Sequence, residues 1–177
     1  MPQYIAFLRA INLGAKRKFP KADIIAATEA AGMTDVATHI NTGNVFFTST
    51  LRSPAKVREA LQTSYAVDRG FDVPTVVFTP AEIRAITERG TQLRAVNEEG
   101  ARHYVQLFHE SPPQAAIDAA QALDLPGEEL IVEGRAAYAL LPEVQGSRLT
   151  NSKEYAALGQ GTSRTITVLQ AIVAKWC

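Results

Sequence analysis

One order of elements occurs twice in this chain, and it restricts the fold more than any other feature. Short apolar and β-branched runs predict strands at 3–9 (QYIAFLR), 36–41, 44–49 and 74–78, and helices at 21–31 and from Ser53-Pro54 onward. After residue 101 the pattern starts again, with a strand at 103–109 (HYVQLFH), a helix from Ser111 to about Leu123, strands at 129–133 and 136–141, and further helices. The unit β-α-β-β-α therefore appears twice, with Tyr4-Ile5 and Tyr104-Val105 at matching places. In a split β-α-β of this kind the third strand runs back between the first two. The expectation is an α+β fold, a duplicated ferredoxin-like arrangement of two β-α-β-β-α units with antiparallel or mixed sheets. The first subdomain takes residues 1–90, a linker 91–101, and the second subdomain with its C-terminal helix 102–177.

Turn and cap residues set the predicted boundaries. Pro20 precedes the first helix and Gly32 ends it; Ser53 and Pro54 supply a cap and a first-turn proline for the second. Thr79-Pro80-Ala81-Glu82 reads as a capping box, as does Ser111-Pro112-Pro113-Gln114. The helix from Thr79 is expected to reach about Arg89, and the polar, glycine-flanked stretch 90–101 reads as the linker. Thr42-Gly43 reads as a two-residue hairpin connection, and Gly134-Arg135 as another. Asn151, with Glu154 three residues on, reads as a further cap, and the last helix is expected from about Ser163. Its face Ile166, Leu169, Ile172, Val173 and Trp176 is expected in the core. Strands near 5–7 and 45–47 are apolar on both faces, which requires both faces of the first sheet to be covered.

Composition narrows the chemistry. Lys and Arg number 18 and so do Asp and Glu, so bulk charge does not hold the chain to nucleic acid. The sole cysteine is Cys177, which excludes a disulfide framework and a cysteine metal cluster. The three histidines, His39, His103 and His109, show no metal-ligand spacing, so no metal and no cofactor are expected. No apolar stretch approaches the roughly 20 residues of a membrane span, so a cytoplasmic protein with no membrane partner is expected.

The predicted strand order brings the loop after strand one beside the turn before strand three. Arg9, Asn12, Lys16, Arg17 and Lys18 then face Thr42, Gly43 and Asn44, a cationic, amide-rich corner with a glycine beside it. Arginine and lysine beside free amide hydrogens suit a small anion. The rival reading makes the charges a solvated loop and the asparagines turn residues. Arg148 and Arg164, in hydroxyl-rich clusters 147–151 and 162–165, are the other candidate anion ligands. The catalytic residues are not identifiable from sequence.

The segments YIAFLRAINLGAKRK, INTGNVFF, SRLTN and the final TSR together resemble the Domain of Unknown Function 1697 family. Its members open with a YIALLRGINVGGKN-like stretch and carry a QSGNVVF-like hairpin, then SKLTN-like and TRNWNT-like segments. The resemblance implies a duplicated ferredoxin-like fold and a set of positions, since the family has no established activity. Arg9, Asn12 and Gly14 match the first motif; Gly43 and Asn44 match the second. Ser147, Leu149, Thr150 and Asn151 match the third, with Arg148 in place of lysine, and Arg164 matches the fourth. The chain departs at Ala10 and Ala15, where the family favours glycine, and at Thr165 and Ile166, where it favours Asn and Trp.

Together these readings favour a binder of a small anionic ligand, a nucleotide or phosphorylated metabolite. One alternative is a metal-independent enzyme acting on a phosphorylated substrate, against which the motifs offer no general base. Another is a single-strand RNA-binding or protein-interaction module, with bases stacked on residues such as Phe7 and Phe47. The neutral charge argues against nucleic acid, and the sequence leaves the oligomeric state open.

Overall fold

Residues 1–96, 102–141 and 146–177 are described by the computed structural model. They form two units, Met1–Ile83 with Trp176–Cys177 and Arg84–Lys175. In the first, β1 (Gln3–Leu8), α1 (Lys21–Ala30), β2 (Thr34–His39), β3 (Asn44–Thr48), α2 (Pro54–Arg69) and β4 (Thr75–Phe78) follow one another. The sheet order is β2-β3-β1-β4, and each neighbouring pair is antiparallel. This is the ferredoxin-like order, with β3 between β2 and β1 as the split β-α-β requires.

Alternation along β1 sorts its side chains. Tyr4, Ala6 and Leu8 join Val45 and Phe47 of β3 in a core with Ile24 and Ala27 of α1 and Val57, Leu61 and Tyr65 of α2. The Tyr65 ring meets Phe19 edge-on at 5.3 Å, and its hydroxyl lies 2.7 Å from Thr28 Oγ1. Burial raises the Tyr65 pKa far above its ordinary value, although the Thr28 bond works the other way, so Tyr65 stays neutral. Ile5 and Phe7, which point the other way, are also fully buried, with Phe7 edge-on to Phe78 at 6.2 Å. Both faces of β1 are thus covered, as its two-sided apolar pattern demands. Trp176 stacks on Phe46 at 5.8 Å and meets His39 edge-on at 6.2 Å. Its burial is only partial, short of the full core position its helical spacing predicts.

The second unit repeats the topology with β5 (Arg102–Phe108), α4 (Gln114–Gln121), β6 (Glu129–Glu133), β7 (Ala136–Leu141), α5 (Lys153–Ala156) and β8 (Gly161–Thr165). Its sheet order is β6-β7-β5-β8. The strand β8 corrects the sequence reading, which gives 162–165 to a helix start. Gly-Thr-Ser-Arg-Thr carries no apolar alternation; backbone pairing with β5, from Tyr104 opposite Thr165 to Phe108 opposite Gly161, makes it a strand. Each half is therefore β-α-β-β-α-β, and α6 (Ile166–Trp176) follows directly.

Local signals fare unevenly. The Thr79–Glu82 capping box forms, with Thr79 N–H donating to Glu82 Oε2 at 2.7 Å and Glu82 N–H to Thr79 Oγ1 at 3.3 Å. It opens α3 (Pro80–Val96), which continues through residues 90–96 of the expected linker; residues 97–101 lie outside the described part. Gly90 is not a stop. A Cβ there would sit 2.6 Å from Ile166 Cδ1 and 3.3 Å from Tyr138 Cε1, so it is the small residue that lets α3 approach α6 and β7. The Ser111 box does not form, because α4 begins only at Gln114 with Pro113 at its cap. Ser152, not Asn151, caps α5 and accepts from Tyr155 N–H at 3.0 Å.

Candidate functional site

The end of β1 and the turn before β3 are neighbours, as the topology predicts. Phe7 stands opposite Asn44, and Leu8 N–H donates to Gly43 C=O at 2.8 Å. Because β1 and β3 are the two central strands, this corner lies at the end of the sheet rather than along an outer strand. The turn is longer than Thr42-Gly43. His39 pairs with Asn44, so residues 40–43 all lie in it, with φ of 49° at Ile40 and 75° at Gly43. The loop after β1 holds further left-handed residues, at Ala10 and Asn12 (both φ 56°) and Gly14 (71°). Glycine, which the resemblance favours at position 10, adopts such a φ at no steric cost; alanine does not.

The asparagines are clamps. Asn12 Nδ2 donates to Asn41 C=O at 2.9 Å, and its Oδ1 accepts from Phe19 N–H at 3.0 Å. Asn44 is fully buried, and its Nδ2 donates to His39 C=O at 3.0 Å and Thr42 Oγ1 at 2.9 Å. Their amides, expected to face a ligand, are used to tie loop to turn and to close the turn on itself. Gly43 is required by packing: a Cβ would stand 2.7 Å from Leu8 Cβ and 2.9 Å from Ile11 Cδ1.

The cations divide by role. Arg17 donates through Nε to Ala10 C=O and through Nη2 to Asp72 C=O at 2.7 Å, and lies 4.5 Å over the Phe71 ring. It braces the loop, a role the sequence reading does not assign to it. Arg9 is half-buried, with its N–H on Pro74 C=O at 2.9 Å; Lys16 and Lys18 are exposed. Among the described residues the side chains of Arg9, Lys16 and Lys18 make no hydrogen bond or ion pair. The segment 9–21 holds five basic residues and no acidic one. Arg17 and the asparagines thus shape a loop that displays three unpaired cations.

Arg148 and Arg164 lie in the second unit. The 147–149 turn does bind an anion, but that anion is the chain's own Glu128. Ser147 Oγ donates to Glu128 Oε2 at 2.6 Å, Leu149 N–H to the same oxygen at 2.8 Å, and Arg148 N–H to Oε1 at 2.9 Å. Burial works against the Glu128 charge; these bonds and the Arg148 charge outweigh it and hold its pKa below the ordinary value. Thr150 N–H returns to Ser147 Oγ at 3.0 Å and Asn151 Nδ2 to Ser147 C=O at 2.8 Å, closing the turn. Nothing local in the sequence marks Glu128 as the partner of SRLTN. Arg164 lies buried in β8, donating to Thr162 Oγ1 and Ser163 C=O, both at 2.8 Å. Burial presses its pKa down to about 10, so it stays charged at neutral pH.

The second unit also has an open cleft of about 520 Å³, lined in part by Leu123, Leu125, Leu130, Arg89 and Glu128. Its Arg89 forks onto Glu133, with Nη2 to Oε1 at 2.7 Å and Nε to Oε2 at 3.0 Å, and its Glu128 is taken by the 147–149 turn. Among the described residues no group of three or more His, Cys, Asp or Glu side chains is gathered to hold a metal ion, and no helix is long and apolar enough to cross a membrane.

Two ferredoxin-like halves in tandem, the first with a cationic loop clamped to its hairpin, place the chain in the class of duplicated α+β proteins. Residues 1–138 match the family model described as a protein of unknown function (DUF1697), and the chain belongs to that family. The matched stretch includes the first two motifs and ends before SRLTN. Among solved structures, the chain is similar to the conserved bacterial protein SP0830 from Streptococcus pneumoniae, with 23% identity and a TM-score of 0.74 over 98% of this chain and 97% of that one. That likeness shows the fold. No curated protein matches the chain.

Proposed function

We propose that this protein binds a small phosphate-bearing anion at the corner between loop 9–18 and the turn 40–43. The observation that carries it is the set of unpaired cations, Arg9, Lys16 and Lys18, on a loop held in shape by other residues. A preshaped loop loses little conformational entropy when a ligand arrives, so charge attraction is not spent on ordering it. Arg9 supplies the fork geometry that suits a phosphate, and the two lysines add charge from the exposed side. Asn12, Thr42, Gly43 and Asn44 support the corner from behind. Arg148 and Arg164, which lie in the second unit, are not part of the proposed site.

A melting-temperature screen with inorganic phosphate, nucleotides and sugar phosphates tests this. A ligand at about 100 times its dissociation constant stabilises by roughly 2.7 kcal/mol. The triple variant Arg9→Met, Lys16→Met, Lys18→Met is expected to fold and lose that shift. A shift that survives in the folded triple variant, or no shift with any phosphate compound, overturns the proposal.

A further inference from the structure

We infer that the same corner docks on an anionic lipid bilayer, the headgroup phosphates being the anions it takes; this rests on the anion site proposed above. Four large hydrophobic side chains are exposed among the described residues: Met1, Leu13 (65%), Ile40 (49%) and Val67. Two of the four stand at this corner. Leu13 follows Asn12 and Ile40 precedes Asn41, so they flank the bond from Asn12 Nδ2 to Asn41 C=O by one residue each.

Both aliphatic side chains are exposed to solvent. Ile40 is β-branched, yet holds a φ of 49° that costs glycine nothing. Such an outlier persists where the surroundings impose it and marks sites with a task. Leu13 sits between two left-handed residues and is 65% exposed. The segment 9–21 that carries Leu13 also carries Arg9, Lys16, Arg17, Lys18 and Lys21 and no acidic residue. Counting Arg69 with these five cations, and Asp23, Asp68 and Asp72 against them, leaves an excess of three positive charges; Asp23 and Asp68 both pair with Arg69.

A soluble phosphate compound satisfies the cations and leaves Leu13 and Ile40 in water. A bilayer takes both, with phosphates at the surface and an acyl boundary just beneath. Lysine side chains on this rim are long enough to stay at headgroup level while the aliphatic tips enter. Two aliphatic tips alone bind marginally, and so do three charges; together they give the paired signal that peripheral attachment needs. A nucleic acid supplies the phosphates but no apolar layer for the two tips.

Co-sedimentation with vesicles tests this, using phosphatidylcholine alone and an equimolar mixture with phosphatidylglycerol. The full chain is expected to bind the mixed vesicles, not the neutral ones, and more weakly as salt rises. Removing Lys16 or Lys18 (Lys→Gln) is expected to weaken binding about fivefold each. Leu13→Ser with Ile40→Gly is expected to weaken it on the order of tenfold or more. Ile40→Gly relieves the left-handed φ, so its loss of binding is not loss of fold. Wild-type failure to bind mixed vesicles, or unchanged binding by the double aliphatic variant, overturns the inference. Phosphate compounds that shift melting without vesicle binding overturn it and leave the small-anion site standing; if neither binds, both fall.

Discussion

Replacing Gly43 by alanine should be among the most damaging single-methyl changes in the first unit. Two costs add. An alanine at φ 75° stands in the left-handed region, which costs about 1–2 kcal/mol. Its Cβ would also lie 2.7 Å from Leu8 Cβ and 2.9 Å from Ile11 Cδ1. The isoleucine tip can swing aside, but Leu8 Cβ is rooted in the central strand, and forced packing of this kind costs about 1–3 kcal/mol. The expected loss is therefore about 2–5 kcal/mol. Gly70 is the control: it caps α2 at φ 71° with nothing within 4 Å of a built Cβ, so Gly70→Ala should cost only about 1–2 kcal/mol. Urea unfolding followed by Trp176 fluorescence reads the first unit, because the sole tryptophan stacks on Phe46. If the two variants lose stability equally, to within about 0.5 kcal/mol, the packing argument fails and φ alone explains Gly43.

Glu128 has its pKa held low, so it stabilises the fold above the ordinary carboxyl range, and that contribution is lost as pH falls through its depressed value. Urea midpoints measured downward from neutral pH should fall more gently in Glu128→Gln than in wild type below about 4.5, the ordinary value; superimposable acid limbs would show that the 147–149 turn does not hold the charge. Trp176→Ala should cost about 1–2 kcal/mol, less than the 3–5 of a fully buried ring, because the indole is partly exposed and rests on one face of Phe46. A loss above about 3 kcal/mol would place the ring in a true core position.

The repeated element order, the inserted third strand and the Thr79 capping box were legible in the sequence because each depends on neighbours a few residues apart. Period-two alternation places Tyr4, Ala6 and Leu8 on one face whatever else the chain does, and a split β-α-β has one favoured way to close. The meeting of loop 9–18 with turn 40–43 follows from that order. What each corner residue does there depends on distant partners. Asn12 as a clamp requires the backbone carbonyl of Asn41, Arg17 as a brace that of Asp72, and the SRLTN turn the carboxylate of Glu128. The strand β8 carries no apolar pattern and exists through its pairing with β5. Gly90 reads as a break but serves the approach of α3 to Ile166 and Tyr138. Hydropathy finds membrane spans, and it passes over Leu13 and Ile40, which are single residues far apart in the chain. Folding sets them on either side of one hydrogen bond, with cations around them. Local patterns fix which elements form and in what order; only the packed chain decides which polar groups are used up inside it and which remain to meet something else.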